Sequence, residues 1–172
     1  MRSILEILPY PIYIARRPDG ELLFVNRKTC LLFQKSAGQL LRGHSSEFFV
    51  NPTDREELRQ LLDTISDIRD IEVRMKTGAG REFMAELAVI AIDYESVPAV
   101  LVALNDISQR KDLEAELFRQ ASTDSLTGIS NRRYFIAQAE QELRRSRRFG
   151  RAMSVMMIDV DHFKSINDQH GH

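Results

Sequence analysis

The residues best suited to chemistry lie near the end of the sequence, where an apolar run stops at a pair of acids. Residues 153–158, MSVMMI, are continuously apolar, which predicts a strand buried on both faces, and Asp159 and Asp161 follow it. Carboxylates at the end of a buried strand commonly hold Mg²⁺ against nucleotide phosphate. The next residues favour a helix, whose first N–H groups suit phosphate oxygens, and Asn167 suits a polar ring edge. This pattern indicates a metal and nucleotide site.

Two helices joined by a turn must position this strand. Residues 109–122 contain helix formers throughout and no Gly or Pro, with Leu113 and Leu117 one turn apart. Asp124 and the glycine four residues later predict a capped turn, and Asn131 begins a second helix. A helix that joins two domains and has its own apolar seam is a candidate for a dimer contact and for signal transmission.

The residues before the first of these helices predict a sheet. Two β-prone segments, 12–15 and 21–26, flank the turn sequence Pro18-Asp19-Gly20, which predicts a hairpin. Later in the chain, strands are predicted over 70–77, 82–92 and 99–104, with turns at 78–80 and 96–98. Two strands followed by three in a meander favour an α+β fold, a five-stranded antiparallel sheet with helices on one face.

Helices are predicted between the second and third strands. Short helical pieces occupy 26–41, and a longer helix over 54–65 has apolar residues at helical spacing. Thr53 is suited to cap this helix, with Glu56 three residues on to complete a capping box. We therefore expect this helix to pack one face on the core.

Composition excludes several classes of protein. The 172 residues carry a net charge of −1, so we expect no nucleic-acid partner. Four arginines within 144–148 are interpreted as a helix end whose cations oppose the helix dipole, with a phosphate or nucleic-acid patch as the alternative.

The lone Cys30 excludes an intrachain disulfide and fits the reducing cytoplasm. No apolar run approaches the roughly 18–20 residues of a membrane helix, so we expect a soluble cytoplasmic chain without a membrane segment.

Three motifs in this order connect the first part of the chain to a known family. They are Pro18-Asp19-Gly20 with Phe24-Val25-Asn26, the segment 43–54, GHSSEFFVNPTD, and Asn105-Asp106-Ile107-Ser108, in which Ser replaces the commoner Thr. Together they resemble a PAS domain over about residues 4–110. The resemblance implies a sensory domain that forms a homodimer.

The ligand of such a sensor is unknown. A flavin photosensor of this family would need a cysteine just after Gly43, where His44 stands, and Cys30 lies too early. A haem-binding member would need a histidine on the helix over 54–65, which has none. Both cofactors are therefore disfavoured. His44 is more simply a surface or capping residue than a ligand, and Cys30 a small core residue than a redox centre.

The second part of the chain carries two longer motifs. They are Thr123-Asp124-Ser125-Leu126-Thr127-Gly128 with Asn131-Arg132-Arg133, and the segment 158–172, IDVDHFKSINDQHGH. They closely resemble the start of the GGDEF domain, the catalytic domain of diguanylate cyclases. The resemblance implies that Asp159 is the catalytic Mg²⁺ ligand. It places the backbone of Val160 against the metal, and the backbones of His162 and Phe163 against the metal and the GTP phosphates. It makes Lys164 a phosphate-binding cation and Asn167 a guanine contact.

The implied reaction joins two GTP molecules into cyclic di-GMP with release of two pyrophosphates. Each GGDEF domain holds one GTP, so two domains must meet, and we expect a homodimer through the PAS domain and the helix over 109–122. The expected division is a PAS sensory domain over 1–108, a signalling helix over 109–122, and the N-terminal part of a GGDEF domain over 123–172.

The sequence stops at His172, before the Gly-Gly-Asp-Glu-Phe hairpin of that family. We therefore expect a fragment of a longer enzyme that is inactive by itself and whose tail packs irregularly, since one strand and two helices cannot bury a core. The alternative is a non-catalytic signalling module with a degenerate GGDEF domain that binds GTP or a partner protein. A longer protein with a further phosphodiesterase domain is a third possibility.

Overall fold

The computed structural model describes residues 2–159, 161, 162, 164 and 168. The chain divides into two compact units, Met1–Ala115 and Glu116–His172. In chain order, the elements are α1 (Arg2–Ile7), β1 (Ile12–Arg16), β2 (Leu22–Val25), α2 (Arg27–Phe33), α3 (Ala37–Leu40), a 3₁₀ turn (Ser45–Phe48), α4 (Pro52–Thr64), β3 (Asp67–Lys76), β4 (Glu82–Tyr94), β5 (Val97–Asp106), α5 (Ser108–Ser122) and α6 (Arg132–Phe149). No helix in the described part of the chain is both long and apolar enough to cross a membrane.

The first unit is built on one five-stranded sheet in the order β2-β1-β5-β4-β3, with every neighbouring pair antiparallel. The predicted α+β fold is therefore confirmed. One turn differs: β4 and β5 extend to Tyr94 and Val97, so the chain reverses at Glu95 and Ser96 and not at 96–98. Both turn residues have positive φ, 50° and 65°, as a two-residue hairpin whose twist matches the strands requires.

Alternate residues along each strand supply two separate cores. On one face, Tyr13 and Ala15 join the main core, where α2, α3 and α4 contribute Phe33, Leu40, Leu58 and Leu62. On the other face, Ile12 and Ile14 pack with Leu5 of α1. Sequence analysis did not predict α1, which adds a helix on the face opposite the predicted layer.

Helix α4 begins two residues earlier than predicted. Asn51 is its N-cap and accepts a hydrogen bond from the Thr53 N–H at 3.1 Å, while Pro52 occupies the first turn. The predicted Thr53 cap is wrong because Thr53 already lies inside the helix. A proline there needs no hydrogen-bond acceptor and has a helical φ, which places the cap at the residue before it. Glu56 pairs with Arg59.

The second unit contains the end of α5, the whole of α6 and an irregular segment. The predicted strand over 153–158 is not formed: residues 151–159 have no regular secondary structure. Val155, Met156, Met157 and Ile158 are exposed, Met157 by 96%. A strand needs a neighbour to pair its N–H and C=O groups, and no described residue of this unit supplies one.

Candidate functional site

A small cavity lies in the first unit between the sheet and α4. Its volume is about 60 Å³, and it opens to the surface. Valines 89, 100 and 102 form its floor on β4 and β5, and Phe49, Leu58 and Leu62 form apolar walls. The polar residues that border it are Tyr13, Arg16, Arg17, Ser45, Arg55 and Arg59. Strand β1, the 3₁₀ turn and α4 each contribute to this border, so residues far apart in sequence surround one space.

The two residues considered as possible ligand or redox groups occupy ordinary structural positions. His44 is exposed, and its backbone N–H donates to the Glu47 carboxylate at 3.1 Å. Cys30 is half-buried on α2 and packs against the main core. Burial raises the pKa of the Cys30 thiol, with a smaller contribution from the nearby Glu6 carboxylate, so the neutral thiol is favoured.

The beginning of α5 is bonded to the sheet through the Asp-Ile-Ser sequence at 106–108. Ser108 Oγ accepts from the Met84 N–H, while the Asp106 carboxylate accepts from the Ser108 N–H and from Arg81, each at 3.0 Å. Burial by itself would raise the pKa of Asp106. The hydrogen bonds from Ser108 and Arg81 outweigh that effect and hold its pKa below the ordinary value. Strand β5 therefore connects to α5 through Asp106, whose carboxylate is ionised and hydrogen-bonded.

In the second unit, a tight turn connects α5 to α6. Asp124 Oδ1 accepts from the Thr127 hydroxyl at 2.8 Å and from the Thr127 N–H at 3.0 Å, and these bonds lower the pKa of Asp124. Asn131 caps α6 by accepting from the Tyr134 N–H at 2.9 Å. The Asn131 amide also donates to the Ala121 carbonyl at 2.9 Å. One side chain thus joins the end of α5 to the start of α6, and the helix predicted to open at Asn131 is confirmed.

The predicted metal and nucleotide residues lie on the segment after α6. Asp159, Asp161, His162 and Lys164 are exposed. The other predicted positions, Val160, Phe163 and Asn167, lie outside the described residues. In the described part of the chain, no three His, Cys, Asp or Glu side chains come together as a metal cluster. The structure thus places one predicted ligand on an accessible segment and does not show a complete site.

The fold of the first unit is similar to that of solved PAS domains. One of these, a PAS domain from Colwellia psychrerythraea, gives a TM-score of 0.55 with 63% of this chain and 94% of that chain covered. At 18% sequence identity this likeness shows the fold alone.

The chain belongs to the PAS domain family, whose family model matches residues 9–109. A second family model, described as "Diguanylate cyclase, GGDEF domain", matches residues 121–172. A diguanylate cyclase of Vibrio cholerae is 29% identical over 98% of this chain and 54% of its own length. The diguanylate cyclase TpbB of Pseudomonas aeruginosa is 31% identical over 87% of this chain and 32% of its own length. The chain therefore spans about half or less of the length of these relatives.

Sequence analysis missed the polar border of the cavity. Tyr13, Ser45 and Arg55 come from a strand, a 3₁₀ turn and a helix, and no local pattern connects them. Tyr13 follows the alternation of a buried strand, which identifies it as a core residue but not as part of a cavity.

Proposed function

We propose that the protein containing these residues is a PAS-regulated diguanylate cyclase that converts two GTP molecules into cyclic di-GMP and two pyrophosphates. The observation that carries this proposal is the GGDEF match over residues 121–172, directly after a PAS match in the same chain. The Vibrio relative aligned over 98% of the chain is itself named a diguanylate cyclase. We place the reaction in the cytoplasm, which the lone Cys30 fits.

The donor groups near Asp159 suit magnesium. Asp159 and Asp161 present two exposed carboxylates, and Mg²⁺ in nucleotide enzymes is held by one or two carboxylates together with waters and substrate phosphates. When bound, the ion would neutralise charge on the reacting phosphate and lower the pKa of the attacking 3′-hydroxyl. We assign Asp159 and the Val160 backbone to the metal.

The neighbouring residues are assigned to the nucleotide. The exposed Lys164 side chain supplies a cation for the phosphates. With the nucleotide bound, the backbones of His162 and Phe163 would contact the metal and these phosphates, and the Asn167 amide would hydrogen-bond the guanine edge. These groups orient the substrate so that the α-phosphate faces the hydroxyl of a second GTP.

Because each domain would hold one GTP, the reaction needs two chains. The exposed apolar side chains of α5 support a homodimer contact there, since Leu113 and Leu117 are 57% and 65% accessible and one turn apart. We assign residues 1–108 to sensing and dimerisation, 109–122 to a signalling helix and 123–172 to the catalytic domain. A change in the PAS domain would turn or shift the paired helices and set whether the two GTP sites meet.

The test is Mg²⁺-dependent synthesis of cyclic di-GMP from GTP by a protein that extends these residues through a whole GGDEF domain. Asp159→Asn keeps the shape of the side chain and removes its charge, so we expect a loss of at least about a hundredfold in rate. Asp93→Asn is the matched control, because Asp93 is an exposed acid of β4 in the other unit, and it should retain full activity.

Two outcomes contradict the proposal. Equal activity of the Asp159→Asn variant and the control would remove Asp159 from the site. A folded, dimeric extended protein that forms no product would favour the alternative, a signalling module that binds GTP or a protein partner without catalysis.

A further inference from the structure

The end of α5 and the start of α6, both in the second unit, are hydrogen-bonded to each other. The Ala121 carbonyl accepts from the Asn131 side-chain amide at 2.9 Å and from the Arg133 guanidinium at 3.3 Å. The Ser122 carbonyl accepts from the Asn131 N–H at 2.8 Å. The last carbonyls of a helix have no donor within that helix, so another segment must supply one. Here the residues that begin α6 supply it, and the two helix ends are held together directly.

The turn between these helices is hydrogen-bonded to itself. Thr123 and Ser130 pair as an antiparallel bridge, and the Asp124 N–H donates to the Ile129 carbonyl at 2.8 Å. The Gly128 N–H donates to the Asp124 carbonyl at 2.9 Å, with a φ of +73° that glycine adopts without strain. A change in the backbone dihedrals of this turn would break these bonds. The turn therefore resists acting as a hinge.

An aromatic contact adds a second attachment beside the turn. The rings of Phe118 on α5 and Tyr134 on α6 are T-shaped, with centroids 5.7 Å apart and planes at 88°. Edge-to-face packing is an arrangement that the quadrupoles of aromatic rings favour. Phe118 lies about one helical turn before Ser122, and Tyr134 lies in the first turn of α6. Two attachments at different positions along α5 fix the angle between the helices, which one attachment alone would leave free.

Phe118 leaves the predicted dimer seam of α5 free. Successive residues of a helix are turned by roughly 100°, so Phe118 points about 100° away from Leu117 and about 140° away from Leu113. All three side chains are more than half exposed. The seam of Leu113 and Leu117 can thus contact a second chain while Phe118 contacts α6. A rotation of the paired helices would then move the side of α5 that contacts Tyr134.

We propose that the end of α5 and the start of α6 form a rigid joint, closed by Phe118 and Tyr134, which passes a rotation of α5 to the catalytic domain in full. The two side chains act through α6 and not on the substrate, so both are positioning residues that set the direction in which one GTP site faces the other. The rigidity of the joint is a property of this chain, whereas its role in catalysis rests on the proposed cyclase function.

The first test measures rigidity without activity. Residual dipolar couplings of N–H and Cα–Hα bonds report the orientation of each helix in the partly aligned 172-residue chain. We expect one alignment tensor to fit residues 116–122 and 132–149 together, because a rigid joint orients both segments as one body. Separate tensors in the unmodified chain, or a smaller tensor for residues 116–122, would show a hinge and overturn the proposal.

Variants test whether the aromatic contact closes the joint. Phe118→Ala removes the ring from α5, and we expect the two segments then to need separate tensors. Phe118→Tyr keeps an aromatic ring and should restore a single tensor. Phe149→Ala is the matched control, since Phe149 is an exposed ring at the other end of α6, and it should keep a single tensor. A single tensor in the Phe118→Ala variant would show that the hydrogen bonds alone hold the joint, which would overturn the role of Phe118 and Tyr134.

The second test uses the extended protein and separates positioning from binding. Phe118→Ala should lower the kcat of cyclic di-GMP synthesis at least about threefold while the KM for GTP stays within about twofold, because each GTP site is intact but the two sites no longer face each other. Phe118→Tyr should recover the kcat. Thermal unfolding of both variants checks that the lower rate does not come from a smaller folded fraction.

The two tests fail separately. An extended protein that forms no product would contradict the proposed cyclase function, while a single tensor in the 172-residue chain would still support the joint. In an active extended protein, an unchanged kcat of the folded Phe118→Ala variant would overturn the positioning role. A loss of kcat/KM that comes wholly from a higher KM for GTP would also overturn it, because the substitution would then act on binding.

Discussion

The Lys111 ammonium lies 2.7 Å from the Glu72 carboxylate and so connects the first turns of α5 to strand β3. On the same helix, Arg110 pairs with Glu86 of β4 at 3.0 Å. All four side chains are partly exposed, so each pair stabilises the fold by only about 0.2–1 kcal/mol. Because Arg110 contacts β4 and Lys111 contacts β3, the two pairs together favour one rotation of α5 about its axis.

Reversing one of these charges should change regulation more than stability. In the extended protein, Lys111→Glu places two carboxylates together, and we expect a Tm change of a few degrees at most with at least a twofold change in cyclic di-GMP synthesis. The double variant Lys111→Glu with Glu72→Lys restores an ion pair and should restore the rate. A double variant that behaves like the single one would show that this pair does not control the helix.

Asn26 should be the most sensitive polar residue of the first unit. Its side chain is fully buried: Oδ1 accepts from the backbone N–H groups of Ile12 and Thr29, and Nδ2 donates to the carbonyls of Leu5 and Tyr10. Asn26→Ala leaves several of these groups unpaired, which should cost about 3 kcal/mol in the free energy of unfolding.

The matched control for Asn26 is Asn51, the exposed N-cap of α4. Asn51→Ala should cost about 1 kcal/mol, as the loss of a cap does. Urea unfolding of both variants gives the comparison. Equal losses of stability would contradict the view that Asn26 organises the network between α1, β1 and α2.

Acid should destabilise the β1–β2 turn through Asp19. The hydrogen bond from Arg16 lowers the pKa of Asp19 to about 2, assisted by the Glu21 N–H. A lowered pKa gives stability that is fully present above the unfolded value of 3.8 and is lost as the pH falls through about 2. Asp19→Asn keeps the acceptor for the Glu21 N–H and removes the titrating charge.

The measurement is Tm as a function of pH. Between about pH 4 and pH 2, the Asp19→Asn variant should lose less Tm than the unmodified chain, and Asp93→Asn, at an exposed acid of β4, should follow the unmodified chain. Parallel curves for all three proteins would show that the Arg16–Asp19 contact adds nothing to stability.

Substitutions of Asn131 can separate its two roles, which are to cap α6 and to hydrogen-bond the end of α5. Asn131→Asp retains the oxygen that caps α6 but loses the amide donor to the Ala121 carbonyl, whereas Asn131→Ala loses both. We expect Asn131→Ala to cost about 1 kcal/mol and to fray the start of α6, and Asn131→Asp to preserve that helix. Amide hydrogen exchange should become faster over 116–122 in both variants. Unchanged exchange there in the Asn131→Asp variant would contradict a connecting role.

The sequence by itself determined the elements whose signals are local. The β1–β2 hairpin followed from the Pro18-Asp19-Gly20 turn, and α5 from an uninterrupted run of helix formers. The start of α6 followed from the Asn131-Arg132-Arg133 sequence after the turn. The two family resemblances also came from ordered motifs, and the family matches over 9–109 and 121–172 confirm both.

Only the tertiary structure decided the features that depend on residues distant in sequence. The apolar run over 153–158 stayed irregular because a strand forms only beside a partner. The cavity exists because β1, the 3₁₀ turn and α4 bring Tyr13, Ser45 and Arg55 to one edge. The sequence around each residue predicts only a core position for Tyr13, a turn for Ser45 and a helix surface for Arg55. Their position around one space follows from how the elements pack.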